Sequence, residues 1–268
     1  MAPLFNSNIH AFNLTVSTLL KNPSHLIPNL TISTFLDLPE QLGPHLYPQK
    51  QQQQQTSSST STSSSSSSSP KRQQQHPTIR ALVLDKDNTL CAPKTIEFPT
   101  PYLRKLESLR TSPTSPFNLS RNPNGILIVS NTAGSRPDSA VYEAEARQLE
   151  EKLASLRIPV FRVPRGARRK PFCGAEVLAW FRERGVVEHA DEIAVVGDRI
   201  GTDTLLAAEM GAWSVWCKDG VKHGIGADAG RENMDYRGFL AKMEVVMEKY
   251  LREKRGLKAR VPKGWEEA

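Results

Sequence analysis

Cysteine is scarce in this 268-residue chain: Cys91, Cys173 and Cys217 stand far apart, with no C-x-x-C pair. That spacing offers neither a disulfide framework nor a structural zinc site, and it suits a reducing compartment. Long apolar runs are missing as well. Without a window of about 18 uninterrupted apolar residues, the chain can lie on a bilayer but has no segment to cross one. Acidic residues are nearly absent from the first 76 positions, where only Asp37 and Glu40 occur. The G-x-x-x-x-G-K-[ST] phosphate loop is also absent, which removes a fused polynucleotide kinase from consideration.

The formal charge is +7, and beyond position 76 there are 31 basic residues against 26 acidic ones, so the excess belongs mainly to the folded part. Such an excess suits an anionic partner, whether phosphate ester, lipid surface or nucleic acid, and does not choose among them. Residues 49–77 are runs of Gln, Ser and Thr with almost nothing apolar to offset the entropy of ordering, and they read as a disordered tether. Ahead of it, residues 1–48 form an amphipathic segment in which Phe5, Ile9, Phe12, Val16, Leu19 and Leu20 fall on one helix face. The lack of acid before Asp37 fits a mitochondrial import signal, whereas Lys21 as sole cation there does not. Three readings stay open: a helix docked on its own domain, an import signal, or an interfacial membrane anchor. A catalytic domain is expected over 78–255, with a tail at 256–268.

Within that domain short apolar runs at 78–84, 126–129, 160–163, 193–196 and 213–216 alternate with helical periodicity at 101–110, 139–156, 174–184, 202–210 and 236–252. The alternation predicts an α/β, Rossmann-like parallel sheet with helices on both faces, whose chemistry sits where the strands stop. The first strand ends in Asp85-Lys86-Asp87-Asn88-Thr89. Two carboxylates two residues apart repel without a cation, and Mg²⁺, an oxygen-seeking ion that binds phosphate alongside one or two carboxylates, solves that. One Asp can then attack phosphorus while the other handles protons. The second strand ends in Ser130-Asn131-Thr132, a hydroxyl and free N–H groups for phosphate oxygens, a weak signal alone. Lys170 precedes a helix and suits a phosphoryl group, although loop lysines are more often simply solvated. Asp198 follows the fourth strand directly, where an acid needs a partner, and Asp203 falls in the next helical turn, where an ordinary helix start explains it equally well.

Asp-x-Asp-x-Thr, Ser130, Lys170 and Gly197-Asp198 with Asp203, in this order and strand context, closely resemble the four motifs of the haloacid-dehalogenase superfamily over about residues 79–220. Leu84-Asp85-Lys86-Asp87-Asn88, Val129-Ser130-Asn131-Thr132-Ala133-Gly134-Ser135, Val195-Val196-Gly197-Asp198-Arg199, and Val215-Trp216-Cys217-Lys218-Asp219-Gly220-Val221 are similar to the mitochondrial phosphatidylglycerophosphate phosphatase family. So is Thr34-Phe35-Leu36-Asp37-Leu38-Pro39. The chain departs from that pattern in its Gln/Ser tract and in a Ser/Pro/Asn-rich stretch at 111–125, both read as solvent loops.

The resemblance implies that Asp85 is the nucleophile and forms an aspartyl-phosphate, and that Asp87 is the acid and then the base. It also implies that Ser130, the Asn131 backbone and Lys170 hold phosphate oxygens. Mg²⁺ is then held by Asp85, the Asp87 carbonyl and Asp198, with Asp203 in support. Some 45 positions from Asp85 to Ser130 and 40 from Ser130 to Lys170 leave no room for a large cap domain, which favours a phosphate presented on something large. Arg162, Arg165, Arg168, Arg169 and Lys170 crowd beside the expected mouth, either as a solvated loop or as a membrane-facing patch. The expected reaction is hydrolysis of phosphatidylglycerophosphate to phosphatidylglycerol, the precursor step for cardiolipin. Its expected setting is an anionic phospholipid surface on the matrix side of the inner mitochondrial membrane, with no nucleic-acid partner and no transmembrane segment. The alternatives are a phosphatase acting on a protein, a nucleic-acid end or a soluble metabolite, and an inactive phosphate-binding scaffold.

Overall fold

The structure is a computed structural model that describes residues 7–47 and 76–266. The chain opens with helix α1 (Ser7–Lys21), the short strand β1 (Leu30–Ile32) and a single-turn helix α2 (Gly43–Leu46). From residue 76 onward it runs through β2 (Ala81–Leu84), α3 (Thr100–Thr111), β3 (Ile126–Ile128), α4 (Ala140–Lys152), α5 (Gly174–Glu183), β4 (Ile193–Gly197), α6 (Leu205–Met210), β5 (Trp213–Cys217) and α7 (Phe239–Lys249). The strands form one parallel sheet in the order β1-β5-β4-β2-β3. This is the expected α/β architecture. Strand periodicity assigns each side chain to a face. Leu82, Leu84, Ile128 and Val196 pack against Tyr102 and Leu106 of α3 and Leu149 of α4. Ala81, Val83 and Val195 meet Val177 and Phe181 of α5 and Leu206 of α6 on the other face. With both faces covered, the strands are apolar at nearly every position.

Four expectations differ from what is observed. Residues 1–48 do not stand wholly apart, because β1 pairs with β5, Leu30 opposite Val215 and Ile32 opposite Cys217. Phe35, Leu38, Leu42 and Leu46 join the core beside α3, with Phe35 stacked on Tyr102 at 6.2 Å. The boundary expected at 78 therefore falls inside the fold. Nor is 256–268 a free tail, since Trp265 meets Tyr47 and Trp213 edge-on and its indole N–H donates to Asp191 Oδ2 at 2.9 Å.

The strand expected at 160–163 is reduced to one parallel bridge between Ile128 and Val160. Pro159 and Pro164 bound that stretch, and after Phe161 the chain turns so that the Val163 N–H bonds Gly134. The stretch at 111–125 is no solvent loop. It wraps Arg110, whose buried guanidinium donates to the carbonyls of Leu156, Phe117, Asn122 and Pro123 at 2.8 to 3.0 Å. Burial pulls that guanidinium down to about 10, and four carbonyls stand in for the water it lost. Of the tether expected at 49–77, residues 49–75 lie outside the described residues, as does Phe5 of the predicted apolar face, whereas Pro77 is buried with its carbonyl against Gly43 and belongs to the fold. No helix among the described residues is long and apolar enough to cross a membrane.

Candidate active site

The Asp85 N–H donates to Val196 O at 2.9 Å, which carries the β2–β4 ladder one residue past the strand end and fixes where the Asp85 side chain starts. Its carboxylate is buried. Oδ1 accepts from Lys170 Nζ at 2.5 Å, and Oδ2 accepts from Thr89 Oγ1 at 3.4 Å. Lys170 is buried too and donates a second bond to Asp203 Oδ1 at 2.6 Å. Asp198, released directly from β4, accepts from Asn88 Nδ2 at 2.8 Å. Asp85, Asp198 and Asp203 each offer a carboxylate oxygen, and these lie within 4.8 Å of one another.

The local sequence explains why Asp203 reaches this cluster. A Cβ on Gly197 would stand 2.3 Å from the Asp203 carboxylate, so glycine leaves the space into which that side chain folds back. The Arg199 N–H holds the other Asp203 oxygen at 3.1 Å, and residues Ile200–Thr204 form a wide π-type turn before α6. The helix expected at 202–210 is shortened accordingly. Asn88, given no role by the sequence, adopts a left-handed φ of 59°. It spans two elements, donating to Asp198 and accepting from the Val221 N–H at 3.2 Å. Gly220 permits this, since a Cβ there would meet the Asn88 amide at 2.3 Å. The sequence signal was available in principle: Asn is among the few residues that tolerate that backbone region and hydrogen-bond locally from it.

The electrostatics point to a missing positive charge. Burial pushes the Asp85 carboxyl up to about 7, opposed by Lys170 and assisted by Asp203. Burial lifts Asp198 well above the usual carboxylate range, and the charges of Asp85 and Asp203 add to it. Burial also opposes the Lys170 ammonium, but Asp203 and Asp85 outweigh it and hold that lysine above its ordinary value. One buried ammonium facing three buried carboxylates leaves an excess of negative charge, and Asp198 has only an amide donor opposite it. An all-oxygen donor set with this charge fits a hard divalent cation such as Mg²⁺.

Asp87 and Ser130 belong to an adjoining network. The Asp87 carboxylate lies outside the three-carboxylate cluster and accepts from the Lys94 N–H at 2.8 Å and from Thr132 Oγ1 at 3.1 Å. Ser130 Oγ accepts from the Thr132 N–H at 3.0 Å and shares a hydrogen bond with Thr132 Oγ1. The Asn131 carbonyl accepts from Ser135 Oγ at 2.9 Å and from the Arg169 guanidinium at 2.8 Å, which orients the Asn131–Thr132 peptide. Asn131 Oδ1 is buried without a partner. Behind Asp87 sits Lys86, fully buried, 3.0 Å from Asp87 Oδ1 and bonded to Glu145 and to Thr95 O. Neither Lys86, Thr132 nor Glu145 was singled out by sequence, because their partners come from α4 and from loops remote along the chain.

The basic stretch at 162–170 is largely committed within the molecule. Arg162 bonds Glu143 and Glu150, Arg165 meets Asp138 at 3.1 Å, and Arg168 lies over the Phe172 ring at 4.0 Å. Arg169 and Lys170 have the partners given above. A cleft of about 690 Å³ opens between Gly43, Thr78, Arg80, Asn122 and Arg184. That is the amino end of β2, opposite the carboxylates, so the chemistry is assigned by the charged groups and not by cleft size.

Comparison with known proteins places these residues in context. The chain is 40% identical over 147 residues to the Saccharomyces cerevisiae protein named phosphatidylglycerophosphatase GEP4, mitochondrial, covering 55% of this chain and 71% of that one. It is 33% identical over 143 residues to a probable mitochondrial phosphatidylglycerophosphatase of Schizosaccharomyces pombe, covering 53% of this chain and 61% of the relative. A solved D,D-heptose 1,7-bisphosphate phosphatase from B. bronchiseptica, complexed with magnesium and phosphate, aligns at 18% identity with a TM-score of 0.32, over 63% of this chain and 99% of the other. The family described as Mitochondrial PGP phosphatase matches residues 9–222, a span that contains β1, the whole sheet and every carboxylate of the cluster, and the chain belongs to that family.

Proposed function

We propose that this chain hydrolyses the phosphomonoester of phosphatidylglycerophosphate, releasing phosphatidylglycerol and inorganic phosphate, on the matrix side of the inner mitochondrial membrane. What carries the reading is the convergence of Asp85, Lys170, Asp198 and Asp203 in one buried cluster, in a chain of this family. An Asp85 carboxylate oxygen attacks phosphorus in line, the phosphorus–oxygen bond to the glycerol breaks, and Asp87 gives its proton to the departing alkoxide. Water then attacks the aspartyl-phosphate, Asp87 takes a proton from it, and Asp85 is regenerated. Lys170, already within hydrogen-bond reach of the nucleophile, neutralises charge on a transferring oxygen, while Ser130 and the Asn131 N–H hold the others. Mg²⁺ held by Asp85, Asp198 and the Asp87 carbonyl, with Asp203 in support, would supply the remaining neutralisation that phosphoryl transfer requires.

The test offers purified protein with Mg²⁺ phosphatidylglycerophosphate in liposomes beside soluble phosphomonoesters and compares phosphate release. The lipid is expected to be the preferred substrate; faster turnover of the soluble compounds overturns the lipid assignment. Asp85→Asn is expected to fold normally and to lose activity on the order of 10⁴-fold or more. A near-normal rate in that variant removes Asp85 as nucleophile.

A further inference from the structure

The helix α7 carries two acidic residues, and both turn inward. Glu244 accepts from the Arg199 guanidinium at 2.9 Å and from the N–H groups of Ile200 and Gly201 at 3.1 Å each, and Glu248 accepts from Arg252 Nε at 2.5 Å. The outward face is left with apolar and cationic side chains. Phe239, Met243, Val246 and Tyr250 recur at spacings of four, three and four, one stripe of a helix, and Phe239 is 76% exposed. Lys242 and Lys249 are exposed on the same helix, 3.2 Å from Asp235 and 4.0 Å from Glu253, and the exposed Lys254, Arg255 and Lys258 that follow add further positive charge. Glu253 is the one exposed acid between 238 and 258.

Helix α1 lies beside α7. A Cβ on Gly201 would meet Thr15 of α1 at 2.8 Å and Glu244 of α7 at 3.3 Å. Leu14 and Leu19 of α1 and Val245 and Met247 of α7 pack on one buried cluster formed by Ile200, Leu205, Trp216 and Leu251. With their inner faces shared, α1 exposes Phe12, Val16 and Leu20 one turn apart, the last at 79%, and contains no acidic residue. Both helices sit on residues 199–201, immediately after Asp198.

We propose that the outer faces of α1 and α7 form one docking surface for an anionic phospholipid bilayer, set on the loop that presents Asp198 and Asp203. This rests on the lipid-phosphate reading above and names the surface that brings the site to its substrate. Charge selects the occupant. A second copy of the chain would set cations against cations, whereas an anionic interface accepts the apolar stripe among its acyl chains and the ammonium groups at its headgroups. The loop at 162–170 is a poorer docking surface, because none of the exposed large apolar side chains lies there to enter the acyl region beside its cations.

The test uses full-length protein and vesicles of phosphatidylcholine with and without phosphatidylglycerol. Wild-type protein is expected to sediment with the anionic vesicles, and Phe239→Ser/Met243→Ser/Val246→Ser to bind them about tenfold more weakly or worse. In that variant KM for vesicle-borne phosphatidylglycerophosphate rises, while kcat on soluble para-nitrophenyl phosphate stays at the wild-type value. Undiminished vesicle binding by the variant overturns the proposal. So does a wild-type dimer that the same changes convert to monomer with vesicle binding intact. Since the three native cysteines are buried, Phe239→Cys accepts an environment-sensitive label selectively. A blue shift on adding anionic vesicles is expected, and no shift overturns the proposal. Vesicle binding and a blue shift without lipid hydrolysis would instead sink the substrate assignment and leave the surface standing.

Discussion

At the scale of single residues, Lys86 poses the sharpest question, because it stands in sequence between Asp85 and Asp87, the proposed nucleophile and acid, and is fully buried. Burial opposes its charge, yet Asp87 and Glu145 outweigh burial and hold it above an ordinary lysine. The ammonium thus anchors Asp87 from behind while Thr132 and the Lys94 N–H fix its two oxygens. Lys86→Met keeps the volume and removes the anchor, leaving Asp87 and Glu145 sharing Thr132 as like charges. Hydrolysis of an alkyl phosphomonoester, whose alkoxide needs a proton, is expected to fall on the order of 10²-fold. Para-nitrophenyl phosphate, whose leaving group needs none, should lose far less. Comparing the two substrates on one preparation separates orientation of the acid from general damage, and equal losses would mean that Lys86 only supports the fold. The sequence placed Asp85, Asp87, Ser130 and Asp198 at strand ends, and Lys170 and Asp203 at helix starts, because periodicity and terminal position are local properties. Lys86, Asn88 and Glu145 escaped it because their significance lies in partners 59 to 133 positions away.

Among elements, the parallel strands β2 to β5 and the helices between them were legible, since each is an apolar run or a 3.6-residue repeat that declares itself within a dozen residues. What lies between 26 and 46 was not. That stretch has no sustained period: its apolar residues enter through single turns and one three-residue strand, and only pairing with β5 gives them a shared direction. Loop 111–125 failed for a related reason, because its polar residues serve the buried Arg110 instead of water. If the segment ahead of the Gln/Ser tract is structural, truncating its core side chains must cost global stability. Phe35 is fully buried against Tyr102, and Phe35→Ala is expected to destabilise by about 3–5 kcal/mol, seen as a lower midpoint in thermal or urea unfolding. A change under about 1 kcal/mol would show that the segment packs on a fold already complete without it.

For the whole molecule, the site's charge imbalance should govern how stability responds to pH and to metal. Burial raises Asp85 to about 7 and Asp198 well above its usual range, whereas an unfolded chain releases both protons near pH 4. From about pH 4 up to 7 the metal-free folded chain therefore holds protons that the unfolded chain has given up. Stability follows the difference in bound protons, so it falls as pH rises through that window. The raised Lys170 acts only at far higher pH, and Asp235, held low by Arg237, acts only at lower pH, while His25, which burial holds below its ordinary value, works in the opposite direction within the window as one group against two. A divalent cation binds the deprotonated carboxylates and restores what they cost, which makes its stabilisation grow with pH. In chelator-treated protein the melting midpoint is expected to drop between about pH 5 and pH 8, and added Mg²⁺ to raise it slightly at the lower pH and by several degrees at the higher. Asp198→Asn should reduce the metal-free pH slope and the Mg²⁺ response together, because Asp198 contributes to both. Scanning calorimetry of the two proteins at the two pH values, with and without Mg²⁺, makes the comparison, and a Mg²⁺ stabilisation equal at both pH values would mean that the ion binds somewhere other than these buried carboxylates.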